Sequence, residues 1–238
     1  MKFDVHANNV YSQFGEDGMI AEALNVLGIK RGFAVEFGAG DGLELSNTAR
    51  LWRDLGWEAL LIEAAPDRFE SLKHNTVGYN VTISQSMIDP VHLTIDSFVT
   101  GRDVDFMSVD IDDCEFQILQ TMECRPRLLL VEFNYTMPHH MELVGAVGSR
   151  LQASPLSIVK QAESMGYGLL AISGCNCLFV RKPHDQKFEE YDTEYRNLVD
   201  PNASTFVVTD YLGKYVFVGP KPHGMSGPYE NPPWEVGP

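Results

Sequence analysis

The sequence has few basic side chains. Of its 238 residues, 18 are Lys or Arg and 33 are Asp or Glu, which gives a formal net charge of −15 at pH 7. Such a chain lacks the basic patch that neutralises phosphates, so we expect no nucleic-acid partner. Anionic membrane surfaces are disfavoured for the same reason. The simplest explanation of the charge is solubility.

Long apolar runs and paired cysteines are also missing. No apolar run approaches the length that spans a bilayer, and the first residues contain no signal-peptide core. We therefore expect a cytoplasmic protein that does not enter a membrane. Cys114, Cys124, Cys175 and Cys177 follow neither a zinc spacing nor a secreted disulfide pattern, so we interpret them as small buried residues.

The most informative stretch is a short apolar run that breaks into glycines. Residues 33–37 are typical of a buried parallel strand, and Gly38, Gly40 and Gly42 follow on a spacing of two. Glycines at this point let the backbone turn tightly and approach a ligand. A second apolar run ends in Glu63, where nucleotide-binding α/β units place a carboxylate against the ribose hydroxyls.

Charge indicates which nucleotide the turn accepts. Asp41 lies inside the glycine turn and Glu36 lies just before it, so a pyrophosphate would face two carboxylates. S-adenosylmethionine carries an ammonium group, a sulfonium and a ribose diol, and it has no phosphate. The sequence therefore predicts a site for this methyl donor rather than for a dinucleotide.

Alternating strand-like and helical patterns predict an α/β fold. Apolar runs at 81–84, 105–111 and 128–133 give the third to fifth strands of a parallel sheet with helices on both faces. A short gap joins residues 167–172 to 175–181, which predicts a hairpin and an antiparallel last strand. Helices are expected at 19–27, 46–55, 66–73, 114–122, 155–165 and 188–198, and short strands at 206–209 and 215–218.

Acidic residues recur at the ends of the predicted strands, where ligands of such sheets bind. Glu36, Glu63, Asp110 and Glu132 all take this position. A divalent cation such as Mg²⁺ prefers oxygen ligands, and the predicted ligands are Asp110, Asp112, Glu132 and Asn134. The alternative is that Asp112 and Asp113 cap the following helix.

Several stretches together resemble one family. They are residues 11–18, 35–42, 108–112, 131–134 and 174–181. Over roughly residues 10–182 the sequence is similar to FkbM-like class I methyltransferases. The resemblance implies a seven-stranded Rossmann-like sheet and methyl transfer from S-adenosylmethionine to an oxygen, commonly a sugar hydroxyl. Asp113 departs from the pattern, since relatives more often have glycine there; Asp tolerates unusual φ values better than most residues.

By motif, Glu36, Gly38 and Gly40 would hold the methionine part of the cofactor and Glu63 its ribose. The complete set of predicted cofactor contacts is Gln13, Glu36, Phe37, Gly38, Gly40, Asp41, Glu63, Ala64, Met87 and Asp110. Residues 11–17, which include Gln13, form either a capped helix entrance or a lid over the cofactor.

The expected function is O-methylation of a sugar or small-molecule acceptor in saccharide or natural-product biosynthesis. A hydroxyl acceptor must lose a proton, either to a side-chain base or with the help of a divalent cation. The catalytic candidates are Asp110, His139 and His140. Methylation of a nitrogen or a phosphate-type oxygen without metal stays open, as does a non-catalytic module that only binds S-adenosylmethionine.

The domain organisation is predicted from a change in composition near residue 183. Residues 1–183 form the methyltransferase domain, including an N-terminal lid helix, and residues 184–238 form a partly extended appendage. The last twenty residues are rich in Pro and Gly, which is typical of extended or poorly ordered chain. Such an appendage leaves room for a homodimer.

Overall fold

The computed structural model describes residues 1–199, 206–209 and 211–218. Seven strands form one sheet and two more form a separate hairpin. The strands are β1 Phe33–Phe37, β2 Glu58–Glu63, β3 Val81–Gln85, β4 Phe106–Val109, β5 Leu128–Glu132, β6 Tyr167–Ile172, β7 Asn176–Arg181, β8 Phe206–Thr209 and β9 Tyr215–Val218. The α-helices are α1 Glu16–Leu27, α2 Pro66–Asn75, α3 Asp96–Val99, α4 Glu115–Thr121, α5 Pro155–Ser164 and α6 Tyr195–Leu198.

The large sheet has the order β3-β2-β1-β4-β5-β7-β6. β1 to β5 pair in parallel, whereas β7 is antiparallel to both β5 and β6. β6 and β7 are joined by residues 173–175 only, so the second strand of this hairpin has to run back along the first. The predicted Rossmann-like class I methyltransferase fold, with its antiparallel last strand, is confirmed.

Helices cover both faces of the sheet, and each face buries its own set of side chains. α4 and α5 pack on one face, with Val35, Met107 and Leu129. α1 packs on the other face, together with Ala34 and Leu130. Because side chains alternate along a strand, Glu36 and Glu132 must point to the α1 face. The polar strand ends therefore gather beneath the N-terminus of α1.

Most predicted helices are present, but two differ. The helix predicted over 46–55 is only a π-helical turn, Arg50–Asp54, because Ser46 and Thr48 bind the Glu36 carboxylate instead of continuing a helix. The helix predicted over 188–198 is wrong. The chain forms a 3-10 helix, His184–Phe188, then an irregular stretch, and only the last residues form α6.

The segment after β7 packs against the N-terminal residues. Phe188 is 1% exposed, and its ring meets the ring of Phe3 edge-on at 5.7 Å between centroids. Tyr191 also lies against Phe3, at 4.8 Å. The division at residue 183 stays a prediction, although Phe188 and Tyr191 belong to the same apolar cluster as Phe3. The predicted strands at 206–209 and 215–218 are confirmed as β8 and β9, whereas residues 219–238 lie outside the described part.

The cysteines lie in the interior. Cys114, Cys175 and Cys177 are buried and Cys124 is half-buried, and all four are free thiols. Burial, reinforced by neighbouring carboxylates, raises the pKa of Cys114 to about 11 and that of Cys124 to about 12.

Within the ranges that the structure covers, no helix has both the length and the apolar composition needed to cross a bilayer.

Phe188→Ala should lower the free energy of unfolding by about 3–5 kcal/mol, because it leaves a cavity between Phe3 and the sheet. Chemical denaturation measures this change. Val77→Ala is the control: Val77 is 75% exposed, so its truncation should change stability by less than about 0.5 kcal/mol. Equal stability of the two variants would show that the segment after β7 is not part of the folded core.

Candidate functional site

The glycine turn has the geometry that requires glycine. Gly38, Gly40 and Gly42 have φ values of 80°, 58° and 85°. A Cβ on Gly38 would lie 1.6 Å from the carbonyl oxygen of Asp110, so a side chain there would push β1 and β4 apart. At Gly40, by contrast, the nearest atom is Nη1 of Arg68 at 3.9 Å. Gly40 thus leaves its backbone open to a ligand.

Glu63 is fixed to this turn. Its carboxylate is 6% exposed and accepts hydrogen bonds from the N–H of Gly40 (2.8 Å) and the N–H of Ala65 (2.6 Å). The first bond joins the end of β2 to the turn after β1. The side chain predicted to meet the ribose therefore lies at the rim of the glycine turn.

Glu36 is the buried anchor of the next segment. It accepts hydrogen bonds from Oγ of Ser46 (2.7 Å), Oγ1 of Thr48 (2.5 Å) and the N–H of Asn47 (2.7 Å). Burial raises the pKa of Glu36, and these three donors act against that rise. In this arrangement Glu36 orders residues 46–48, a role that the sequence pattern did not indicate.

The other predicted cofactor residues differ in their exposure and in their hydrogen bonds. The Asp41 carboxylate accepts hydrogen bonds from the N–H groups two and three residues further on, at 2.8 Å each. Phe37 is fully buried, so only its backbone is available at the strand end. Ala64 and Met87 are exposed after β2 and β3, and Gln13 is half-buried.

Three carboxylates meet at the ends of β4 and β5. Asp110, Asp112 and Glu132 each offer an oxygen within 4.8 Å of the other two. Burial raises the pKa of Asp110 and of Glu132, and the negative charge of the neighbouring carboxylates raises the pKa of Glu132 further. Like charges this close need a shared proton or a cation between them.

A fourth acid, Glu115, belongs to the same neighbourhood and was not predicted. It is fully buried in the first turn of α4, and one oxygen accepts hydrogen bonds from the N–H groups of Ile111 (3.0 Å) and Asp113 (3.3 Å). The other oxygen has no hydrogen-bond partner among the described residues. Burial raises the pKa of Glu115. The signal in the sequence was an acid two residues after the Asp112–Asp113 pair.

Asp113, which stands where FkbM-like sequences more often have glycine, attaches a loop to the end of β4. Its carboxylate accepts hydrogen bonds from the N–H groups of Gly148 and Arg150, both at 2.7 Å. In the part of the chain that the structure covers, no side chain caps α4, so the alternative that Asp112 and Asp113 cap this helix is wrong. Asp112 takes the left-handed conformation, with φ of 62°.

Asn134 and the two histidines lie on the loop after β5. Asn134 uses its amide within this loop, where it accepts from the N–H of Thr136 (2.9 Å) and donates to the carbonyl of Leu151 (3.0 Å). His139 is 7% exposed, with its ring edge-on to Phe133. His140 is exposed. A ligand role for Asn134 and catalytic roles for the histidines stay predictions.

The entrance to α1 is built by two buried acids. Asp17 accepts hydrogen bonds from the backbone N–H groups of residues 10, 11 and 12, at 2.9, 2.7 and 2.7 Å. Glu16 accepts from Oγ of Ser173 (2.6 Å) and Nδ2 of Asn176 (3.1 Å), next to the end of β5. The N-cap residue of α1 is Gly15, which provides no side-chain cap, but Oγ of Ser12 accepts the N–H of Asp17 at 3.0 Å. The lid role stays a prediction.

Comparison with known proteins gives similarity to solved structures only. No family model matches, and no curated protein matches. The fold is similar to a TehB-like SAM-dependent methyltransferase from Corynebacterium glutamicum, with 12% identity, 74% of this chain and 90% of that chain covered, and a TM-score of 0.44.

Two further solved structures are similar. The SAM-bound amino pentose methyltransferase CalS10 from Micromonospora echinaspora has 11% identity, covers 74% of this chain and 100% of its own, and gives a TM-score of 0.45. An S-adenosylmethionine-dependent methyltransferase from Clostridium acetobutylicum has 8% identity, with 75% and 96% covered and a TM-score of 0.45. Identities this low concern the fold alone.

Asp17→Asn should loosen residues 10–12, because a neutral amide accepts their N–H groups more weakly than a carboxylate does. We expect a loss of about 1–3 kcal/mol in unfolding free energy and faster hydrogen exchange at those amides. Chemical denaturation measures the loss of stability, and hydrogen exchange followed by mass spectrometry measures the exchange rate at these amides. Glu44→Gln, at an exposed position, is the control and should change neither quantity. Unchanged exchange in Asp17→Asn would contradict the structural role given to Asp17.

Proposed function

We propose that this chain is an FkbM-like, S-adenosylmethionine-dependent O-methyltransferase that acts on a hydroxyl of a sugar or another small molecule. The observation that supports this most directly is the contact between the two halves of the site. Gly38 approaches Asp110 so closely that the glycine turn and the three grouped carboxylates share one edge of the sheet. A donor on the turn and an acceptor at the carboxylates would then be neighbours.

The residues present fit S-adenosylmethionine. Gly40 leaves an open approach to the backbone, and Glu63 at its rim offers carboxylate oxygens to a ribose diol. The buried carboxylate of Glu36 lies at the base of the same turn and suits an ammonium group. When bound, this cofactor supplies an electrophilic methyl group on a sulfonium.

The residues also fit a divalent cation. Asp110, Asp112 and Glu132 provide oxygen ligands of the kind that Mg²⁺ and Mn²⁺ prefer, and burial and the negative charge of the nearby Glu115 contribute to the raised pKa of Asp110 and Glu132. A cation held there would lower the pKa of a bound hydroxyl.

The chain's own residues have two tasks in such a reaction. The first is alignment, because in-line displacement at carbon depends mainly on how the hydroxyl is oriented toward the methyl group. The second is to receive the hydroxyl proton. In the absence of a cation, burial raises the pKa of Asp110 and makes it a better proton acceptor than an ordinary carboxylate, an advantage that a cation bound to Asp110 would remove. His139 and His140 are the second choice of base.

S-adenosylhomocysteine should bind the purified protein with micromolar affinity, and NADH should not bind. Isothermal calorimetry tests both ligands, with Mg²⁺ and again with a chelator. Acceptor screening with sugars follows from a positive result, and turnover that persists in the chelator would favour a nitrogen or phosphate-type acceptor. Lack of S-adenosylhomocysteine binding under both conditions would refute the methyl-donor site.

Gly40→Ala should weaken S-adenosylhomocysteine binding by about tenfold or more, because the new Cβ occupies the open approach to the backbone. Gly28→Ala is a matched control, since Gly28 also has a positive φ (78°) and no atom within 4 Å of an added Cβ, at the end of α1. Both variants should lose about 1–2 kcal/mol of stability from strain. Equal affinities in the two variants would place the cofactor elsewhere.

A further inference from the structure

The loop after β5 contains a small hairpin, residues 144–153, that contacts the acidic residues at the ends of β4 and β5. Val144 and Ala153 form a β-bridge, and the N–H of Gly145 donates to the carbonyl of Gln152 at 2.7 Å. The tip is attached by Asp113, which accepts from two of its N–H groups. The base is attached by Gln117, whose Nε2 donates to the carbonyl of Gly145 at 2.8 Å.

The side chain of Gln152, in this hairpin, reaches both Glu132 and Glu115, and its hydrogen bond to Glu115 acts against the rise that burial causes in the pKa of that acid. The Nε2 of Gln152 donates a hydrogen bond to Oε2 of Glu132. Its backbone is in the left-handed region, with φ of 55°, where a non-glycine residue costs about 1–2 kcal/mol. Glycine would relieve this strain but would lose the bond to Glu132. An outlier of this kind next to a candidate site points to a use for the side chain.

We propose that Gln152 is a positioning residue that sets Glu132 for cation binding, an inference that rests on the proposed function. Glu132 has two oxygens, and the amide of Gln152 holds one of them. The carboxylate so held offers an oxygen within 4.8 Å of the oxygens of Asp110 and Asp112. A neutral donor orients the carboxylate without adding a positive charge that would compete with the cation. Partners of this kind around a metal site typically contribute 10–100-fold in affinity.

A purely structural role would look different. Gln117 is the same residue type and anchors the same hairpin, but its bond goes to a backbone carbonyl and not to a carboxylate. If Gln152 only holds the hairpin in place, removing either glutamine side chain should have the same effect on the site. If Gln152 orients Glu132, removing the Gln152 side chain should lower the affinity for the cation and removing the Gln117 side chain should not.

The test compares Gln152→Gly with Gln117→Ala in the full chain, with Mn²⁺ as the probe. Calorimetry should show Mn²⁺ affinity lowered about tenfold in Gln152→Gly and unchanged in Gln117→Ala. The melting temperature of Gln152→Gly should not fall, because glycine accepts the left-handed φ. S-adenosylhomocysteine affinity should be the same in both variants and the wild type.

Two results would overturn the inference while leaving the proposed function intact. One is wild-type Mn²⁺ affinity in Gln152→Gly, and the other is an equal loss in both variants. Asp112→Asn separates these from a failure of the cation site, since it removes a charged ligand that is not among the predicted cofactor contacts and should weaken Mn²⁺ binding while keeping S-adenosylhomocysteine binding. A wild-type protein that binds S-adenosylhomocysteine but no Mn²⁺ would refute the cation site and the role of Gln152 together.

Discussion

The close approach of Gly38 to the Asp110 carbonyl is the constraint on which the candidate site depends. It lets the turn after β1 and the end of β4 lie against each other, with room for no side chain between them. Glu63 then ties the turn to β2, and the parallel pairing of β4 with β5 brings Glu132 alongside. Four neighbouring strand ends, those of β2, β1, β4 and β5, are thereby held in one place before any ligand arrives.

The concentration of negative charge at this edge is tolerated because most of the acids have donors. Glu36 has three, Asp17 has three backbone N–H groups, and Glu63 has two. At Glu36 these bonds oppose the rise in pKa that burial causes. The group formed by Asp110, Asp112 and Glu132 is different, because the carboxylates there mainly face one another. Among these acids, the carboxylates with the fewest hydrogen-bond donors are therefore the three at which we propose cation binding and methyl transfer.

The sequence predicted the sheet, its order of elements and the glycine turn, because these depend on local patterns: apolar runs, glycine spacing and short hairpin gaps. Glu16 and Gln152 could not be predicted as members of the site, because each reaches it through contacts that only the tertiary fold brings together. Glu115 was missed for a different reason, since its contacts are local and its place shortly after the Asp112–Asp113 pair was not recognised as a signal. The helix predicted over 188–198 failed because of tertiary contacts, since Phe188 and Tyr191 are drawn into a cluster with Phe3.

The bond between Glu16 and Asn176 joins residues that are 160 positions apart, and Ser173 adds a second link of similar span. Contacts this distant in sequence cost chain entropy, because a long loop must be closed before they can form. During synthesis, Glu16 cannot form these two bonds until the hairpin of β6 and β7 has been synthesised. The entrance above the strand ends is thus completed only when the whole sheet is, and a partly folded chain does not present a finished site.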